Sequence, residues 1–161
     1  MIKAHKFFQN LYLNIWGYGD AYENNEAVKS LNKLITDNHA LYINLCGYKR
    51  DLKTEYDTSS IQLLTSKYEG FAMTLLEGQM QGIPAISYNV DYGPSEIVED
   101  KSTGYLIPPD DINTLTDKLI YLLKHKNVAS EFSKNAYKSA QRFSYKEIKQ
   151  KWLNLINTYM N

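Results

Sequence analysis

The feature that most constrains this chain is a repeated change of period. Short apolar runs occur at "LYLNIWG" (11–17), "LYINLCG" (41–47), "IQLLTS" (61–66), "AISYN" (85–89) and "YLIP" (105–108). Between them lie longer stretches in which apolar residues return every three or four positions. The short runs carry few charges, as strands covered on both faces do. Strands that alternate with helices through short links require right-handed crossovers. The result is an α/β fold with a Rossmann-like, mostly parallel sheet and helices on both faces. In such sheets ligands bind at the carboxyl ends of the strands.

The helical stretches carry their own start and stop signals. After "GYGD", Ala27, Val28, Leu31, Leu34 and Ile35 follow helical spacing, and Asp20 with Glu23 reads as a capping box. "DDINTLTDKLIYLLKH" places Ile112, Leu115, Leu119, Leu122 and Leu123 on one face, with acidic residues at its start and basic ones at its end, matching the helix dipole. "GPSEIVED" is short and has Pro94 at its first turn. "NVASEFSKNAYKSAQRF" is a further helix. In the last one, Ser144 and Glu147 form a capping box ahead of a stripe of Ile148, Trp152, Leu155, Ile156 and Tyr159.

With 161 residues, 43% of them apolar, the chain reads as a single domain over 1–161. Its 18 Lys+Arg balance 18 Asp+Glu, and arginine occurs only as Arg50 and Arg142. That balance gives no field to attract nucleic acid, which is not expected as a partner. No apolar run reaches the roughly 20 residues of a membrane span, and no signal peptide is evident, so a cytoplasmic protein is the simplest expectation. Cys46 reads as a small buried hydrophobe. His5, His39 and His125 are scattered and no Asp-x-Asp occurs, so no metal is expected.

The densest chemistry lies in "TSKYEGFAMTLLEGQMQGIPAIS" (65–87), where a strand leads through a loop into an apolar helix beginning near Met73. The first N–H groups of that helix have no partner within it and sit at the positive end of its dipole. They form an anion site that suits a diphosphate. Gly70 and the small Ala72 admit a ligand close to the backbone. Glu69 stands in the loop before these donors, and Glu77 about one turn into the helix. An ionised carboxylate accepts the two hydrogen bonds that a vicinal diol offers. The order of carboxylate, anion site and carboxylate suits a sugar, a diphosphate and a ribose in a row. Acidic residues near a helix start are also favourable with no ligand, by about 0.3–1 kcal/mol. What favours a site is that Glu77 is flanked by Leu75, Leu76 and Met80, near an apolar face where an unpaired carboxylate is costly.

The stretch "SKYEGFAMTLLEGQMQGIPAISYNVDYGPSEIVEDKSTGYLIPPDD" (66–111) resembles the donor-binding domain of retaining glycosyltransferases of the B-type, two-Rossmann fold, family 4. The Glu-x7-Glu pair, Gly-Phe, Gly-x-Pro, "GPSEIV" and "GYLIPPDD" stand in that family's order and spacing, and the likeness covers roughly residues 10 to 160. The combination "LTSKYEGF…SYNVDYGPSEI" is most similar to bacterial enzymes that glycosylate teichoic acids and serine-rich surface proteins. The resemblance implies that Glu69 contacts the donor sugar beside the reacting carbon and that Glu77 holds the ribose. It implies that the backbone of Phe71, Ala72, Met73 and Thr74 binds sugar hydroxyls and the distal phosphate. It also places the nucleobase near the loop after "INLCG", with Tyr48 stacking on it and Gly47 giving clearance. An exposed loop tyrosine is an equal reading of Tyr48. The donor would be a nucleoside-diphosphate sugar, UDP-linked, with no metal or other cofactor.

The family's domain opens earlier, with a strand and a loop bearing an arginine and a lysine that neutralise the leaving diphosphate. "MIKAHKFFQN" resembles the end of the helix after that loop, so Lys3 and Lys6 do not match the motif positions. The chain therefore reads as a Rossmann-like domain lacking its first strand, a fragment whose acceptor-binding N-terminal domain or partner chain is missing and which alone does not transfer sugar. In the order 3-2-1-4-5-6 the first strand is central. Without it, strands 11–17 and 61–66 are expected either to pair directly or to leave an edge that recruits another copy. The full-length enzyme would work at the inner face of the membrane. A non-catalytic nucleotide-sugar-binding or scaffold subunit is the alternative function. Trp152 is expected either buried against its own sheet or exposed where an N-terminal domain would cover it.

Overall fold

The computed structural model describes residues 1–17 and 26–160. The chain divides into two compact units, Met1–Thr54 and Glu55–Asn161. The expected capping box of Asp20 and Glu23 lies outside the described residues.

In the first unit, helix α1 (Ile2–His5) precedes strand β1 (Leu13–Trp16), and helix α2 (Glu26–Asp37) leads to strand β2 (Ile43–Gly47). The two strands are parallel, with Leu13 opposite Ile43 and Ile15 opposite Leu45. A side-chain amide bond from Asn44 to Asn14 (2.8 Å) reinforces the pair. Of the α2 stripe only Val28 is buried; Leu34 is half exposed. Ala4 and Ala40 are sealed completely. Cys46 is half-buried rather than fully sealed, its Sγ 3.7 Å from the Asn44 carbonyl. β2 ends on Gly47, whose φ of +67° only glycine adopts without strain.

The second unit holds strands β3 (Gln62–Leu64), β4 (Ala85–Tyr88) and β5 (Gly104–Ile107), parallel and ordered β3-β4-β5. Helix α3 (Lys53–Asp57) leads into the first of them, and helices α4 (Met73–Met80), α5 (Pro94–Ile97), α6 (Ile112–Lys124), α7 (Lys126–Ala140) and α8 (Tyr145–Met160) alternate with or follow them. Strand β4 is buried along its whole length. Its alternate residues serve opposite faces. Ala85 joins Leu75, Leu76, Ile97, Val98 and Ala140 in one cluster. On the other face Tyr105 meets the rings of Tyr121 and Phe132, and Leu115, Leu119 and Leu122 are buried. Helices thus cover both faces, as the apolar runs imply. Each large apolar side chain buried this way contributes about 1.5–3 kcal/mol.

Among the described residues the ladders are β1 with β2 and β3 with β4. Two expectations are corrected here. Ile112 is 65% exposed. It opens α6, and a helical side chain leans toward the N-terminus, which carries this one past the packed turns. Trp152 is 61% exposed and α8 has no buried residue, so the reading of a tryptophan sealed against its own sheet fails. Among the described residues no helix is long and apolar enough to cross a membrane.

Candidate functional site: the β3–α4 turn

Strand β3 ends at Leu64, and the chain crosses residues 65–72 before α4 begins at Met73. Ala72 is the N-cap and lies in the left-handed region (φ 54°, ψ 53°), with no side chain capping the helix. The Leu75 N–H turns back to the Ala72 carbonyl (2.9 Å). The amides that open the helix therefore project from an uncapped N-terminus. A left-handed alanine costs about 1–2 kcal/mol relative to ordinary backbone, and strain of this kind persists where the surroundings enforce it.

The enforcing element is the turn before α5. Gly93 has a φ of +90°. A Cβ there would collide with the Gly70 carbonyl oxygen and lie 3.1 Å from the Phe71 carbonyl carbon and 3.2 Å from the Ala72 nitrogen. The two loops thus touch backbone to backbone, which is why "GPSEIV" needs its glycine. Phe71 sits edge-on to Phe143 (5.3 Å between centroids), tying the same loop to the turn before α8.

The acidic pair sits around this turn. Glu69 is half-buried and Glu77 exposed. Among the described residues Glu69 makes no hydrogen bond or ion pair. Glu77 Oε2 lies 3.4 Å from the Tyr56 hydroxyl, which is also 3.3 Å from the Thr74 carbonyl. The expectation that Glu77 borders the apolar core is corrected. Leu75 and Leu76 point inward while position 77 turns out on the opposite side of α4, as the 100° step between helical residues dictates. Gly70, Met73 and Thr74 are exposed, Phe71 is 40% exposed and Ala72 is buried. Gly47 and Tyr48 belong to the first unit. The space beside Gly47 is open, and Tyr48 is 60% exposed.

The sequence reading missed Tyr56 and Gln62. Burial, then the charge and hydrogen bond of Glu77, push the Tyr56 phenol up to about 12, so it stays a donor. Gln62 Nε2 donates to the Thr74 carbonyl at 2.7 Å. The available signal for α3 was Asp51, whose Oδ1 accepts from the Lys53 N–H (2.9 Å), an aspartate just ahead of a helix start. Nothing local marks Tyr56 as a partner of a residue 21 positions away.

A separate open cavity of about 580 Å³ is lined by Glu96, Glu99, Arg142, Phe143 and Lys151, among others. It includes neither Glu69 nor Glu77. Its arginine is committed to Glu99 (3.2 Å) and to the Glu96 carbonyl (2.7 Å), so it is a poor anion site.

The sequence model of the family described as "Glycosyl transferases group 1" matches residues 1–139. The chain is 32% identical over 115 residues to the poly(ribitol-phosphate) alpha-N-acetylglucosaminyltransferase of Staphylococcus aureus, covering 71% of this chain and 23% of that protein. It is 33% identical over 160 residues to the GtfA subunit of the UDP-N-acetylglucosamine–peptide N-acetylglucosaminyltransferase of Streptococcus pneumoniae, covering 94% of this chain and 30% of that protein. The crystal structure of the pneumococcal O-GlcNAc transferase GtfA in complex with UDP and GlcNAc superposes with a TM-score of 0.84 at 29% identity, over 99% of this chain and 32% of that one. The chain spans less than a third of the length of these relatives.

Proposed function

For a chain that belongs to the group 1 glycosyl transferases, we propose that residues 1–161 form the donor-binding domain of a retaining hexosyltransferase acting on a nucleoside-diphosphate sugar, UDP-linked. The observation that carries this reading is the uncapped start of α4, with Ala72 in the left-handed region and Glu69 and Glu77 on either side of it. The opening amides receive the distal phosphate. Glu77 accepts from the ribose hydroxyls. Glu69, with no partner of its own among the described residues, accepts from the sugar. A relative solved with UDP and GlcNAc supports this choice of ligand. No metal is required, because amides and side chains supply every contact named.

In the reaction so read, the bond between the anomeric carbon and the phosphate oxygen breaks, and the acceptor oxygen bonds that carbon on the same face. The acceptor's proton passes to the departing phosphate. Glu69 orients the sugar and is not a nucleophile. The acceptor site and the cations that stabilise the leaving diphosphate come from a further domain or a partner chain, a role consistent with a relative that is itself named a subunit. The intact enzyme works in the cytoplasm at the inner face of the membrane, on a cell-envelope acceptor.

Calorimetric titration of the chain with UDP, ADP, GDP and CDP tests the reading. UDP binding that weakens by about tenfold in Glu77→Ala supports it, that being the loss of a charge-assisted hydrogen bond. Equal silence toward all four nucleotides would sink it.

A further inference from the structure

We infer that Tyr56 is a positioning residue for Glu77, holding one carboxylate oxygen so that the other is left to accept from the ribose hydroxyls. The inference rests on the donor-binding reading and adds a residue to it from outside the Glu-x7-Glu stretch.

Three observations converge. The Tyr56 hydroxyl lies between two acceptors, Glu77 Oε2 at 3.4 Å and the Thr74 carbonyl at 3.3 Å. It has one proton to give. The Thr74 carbonyl already accepts from the Gln62 amide at 2.7 Å, and of the two acceptors the carboxylate draws the hydroxyl proton more strongly. Gly78 leaves room for that pose, since a Cβ there would strike Gln62 Oε1. That Oε1 is buried with no hydrogen-bond partner, so Gln62 keeps its amide on Thr74 at the cost of its own acceptor. Its opposite orientation would set two oxygens against each other.

The consequence is pre-organisation. Glu77 is exposed on α4, and an exposed glutamate samples many rotamers that binding must freeze. Tyr56 is its only protein partner among the described residues. A hydroxyl anchored on a half-buried ring narrows those rotamers before ligand arrives and lowers the entropy lost on binding. The phenol keeps its proton at every pH where the protein would operate, its pKa standing near 12.

The test compares UDP with 2′-deoxy-UDP, which lacks one of the two ribose hydroxyls, on the full chain and on Tyr56→Phe, Glu77→Ala and the double variant, with Tm recorded for each. Tyr56→Phe is expected to weaken UDP about three- to tenfold, the size of one ordinary hydrogen bond. It should weaken 2′-deoxy-UDP, which keeps one ribose hydroxyl, by a smaller factor and have no further effect once Glu77 is alanine. Glu77→Gln, which keeps the shape but accepts more weakly, should give the same ranking without altering Tyr56. If Tyr56→Phe matches the parent toward UDP while Glu77→Ala does not, the inference is overturned. It is overturned equally if both nucleotides weaken by the same factor as Tm falls, the mark of a purely structural tyrosine. A parent chain that ignores UDP removes the donor-binding reading and this inference with it. That case is distinguishable, because Glu77→Ala then has nothing to lose.

Discussion

At the scale of single residues, the β3–α4 turn depends on two positions that contribute no functional group. Gly93 combines a φ of +90° with backbone of the neighbouring loop where a Cβ would go. Gly93→Ala therefore meets carbonyl and amide atoms, which cannot rotate away as a side chain would. The expected cost is about 2–3 kcal/mol, with displacement of the Gly70–Ala72 backbone. Thermal unfolding checks the first effect, and loss of UDP binding out of proportion to the fall in Tm checks the second. Unchanged stability would mean that the two loops do not touch. Tyr56 offers a pH test. Its folded pKa stands near 12, against an ordinary 10. A raised pKa means that the folded chain holds this proton more tightly than the unfolded one. The associated stability is complete below pH 10 and is lost as pH rises toward 12. In Glu77→Gln the charge and its hydrogen bond are gone while burial persists. NMR of ring-labelled tyrosine should then show Tyr56 titrating lower than in the parent, though still above 10. The acidic pair was legible in the sequence because its spacing is local. Tyr56 and Gln62 were not, because their role exists only once α3, β3 and α4 pack together.

At the scale of elements, α6 shows a sequence signal translated directly into structure. Asp111 accepts from the Thr114 N–H (2.9 Å) and from its hydroxyl (2.6 Å). These bonds to Thr114 hold its carboxyl below the usual range. A depressed folded pKa means stability that is present above the unfolded value and lost as pH falls through the folded one. Asp111→Ala should lower Tm at neutral pH, and the gap between parent and variant should close on acidification below the ordinary aspartate range. A constant gap would show that the cap contributes through shape alone. The five strands were legible because fully covered strands read as unbroken apolar runs, and β4 is such a strand. The fate of α8 was not decided by its sequence. Its stripe at helical spacing is real, yet Trp152, Leu155 and Ile156 are 46–61% exposed. Periodicity reports that a face needs a cover and is silent on whether the same chain provides it. Ser144 does take its capping place, with the Glu147 N–H 3.4 Å from its Oγ. Glu77 illustrates the converse error. Apolar neighbours in sequence do not make apolar surroundings, because residues one step apart on a helix point about 100° away from each other.

At the scale of the whole molecule, the strands form the orders β1-β2 and β3-β4-β5. β1 and β3 each lack a second strand partner among the described residues, and a strand with one unpaired side is a template for association. The α8 stripe adds a second sticky surface, with Trp152, Leu153, Leu155, Ile156 and Tyr159 all more than 40% exposed on one 16-residue helix. A run of this kind exceeds the scattered apolar residues that ordinary surfaces carry. The chain is therefore expected to self-associate as concentration rises, with α8 contributing most, because side-chain burial outweighs a few edge hydrogen bonds at about 25 cal/mol per Å² of apolar area. Sedimentation velocity over a hundredfold concentration range should show the shift. Trp152→Glu with Ile156→Lys should abolish it while leaving the unfolding free energy within about 0.5 kcal/mol of the parent, as surface substitutions do. Association that survives both changes would assign the contact to the strand edges. A single species at every concentration would mean that neither surface is adhesive.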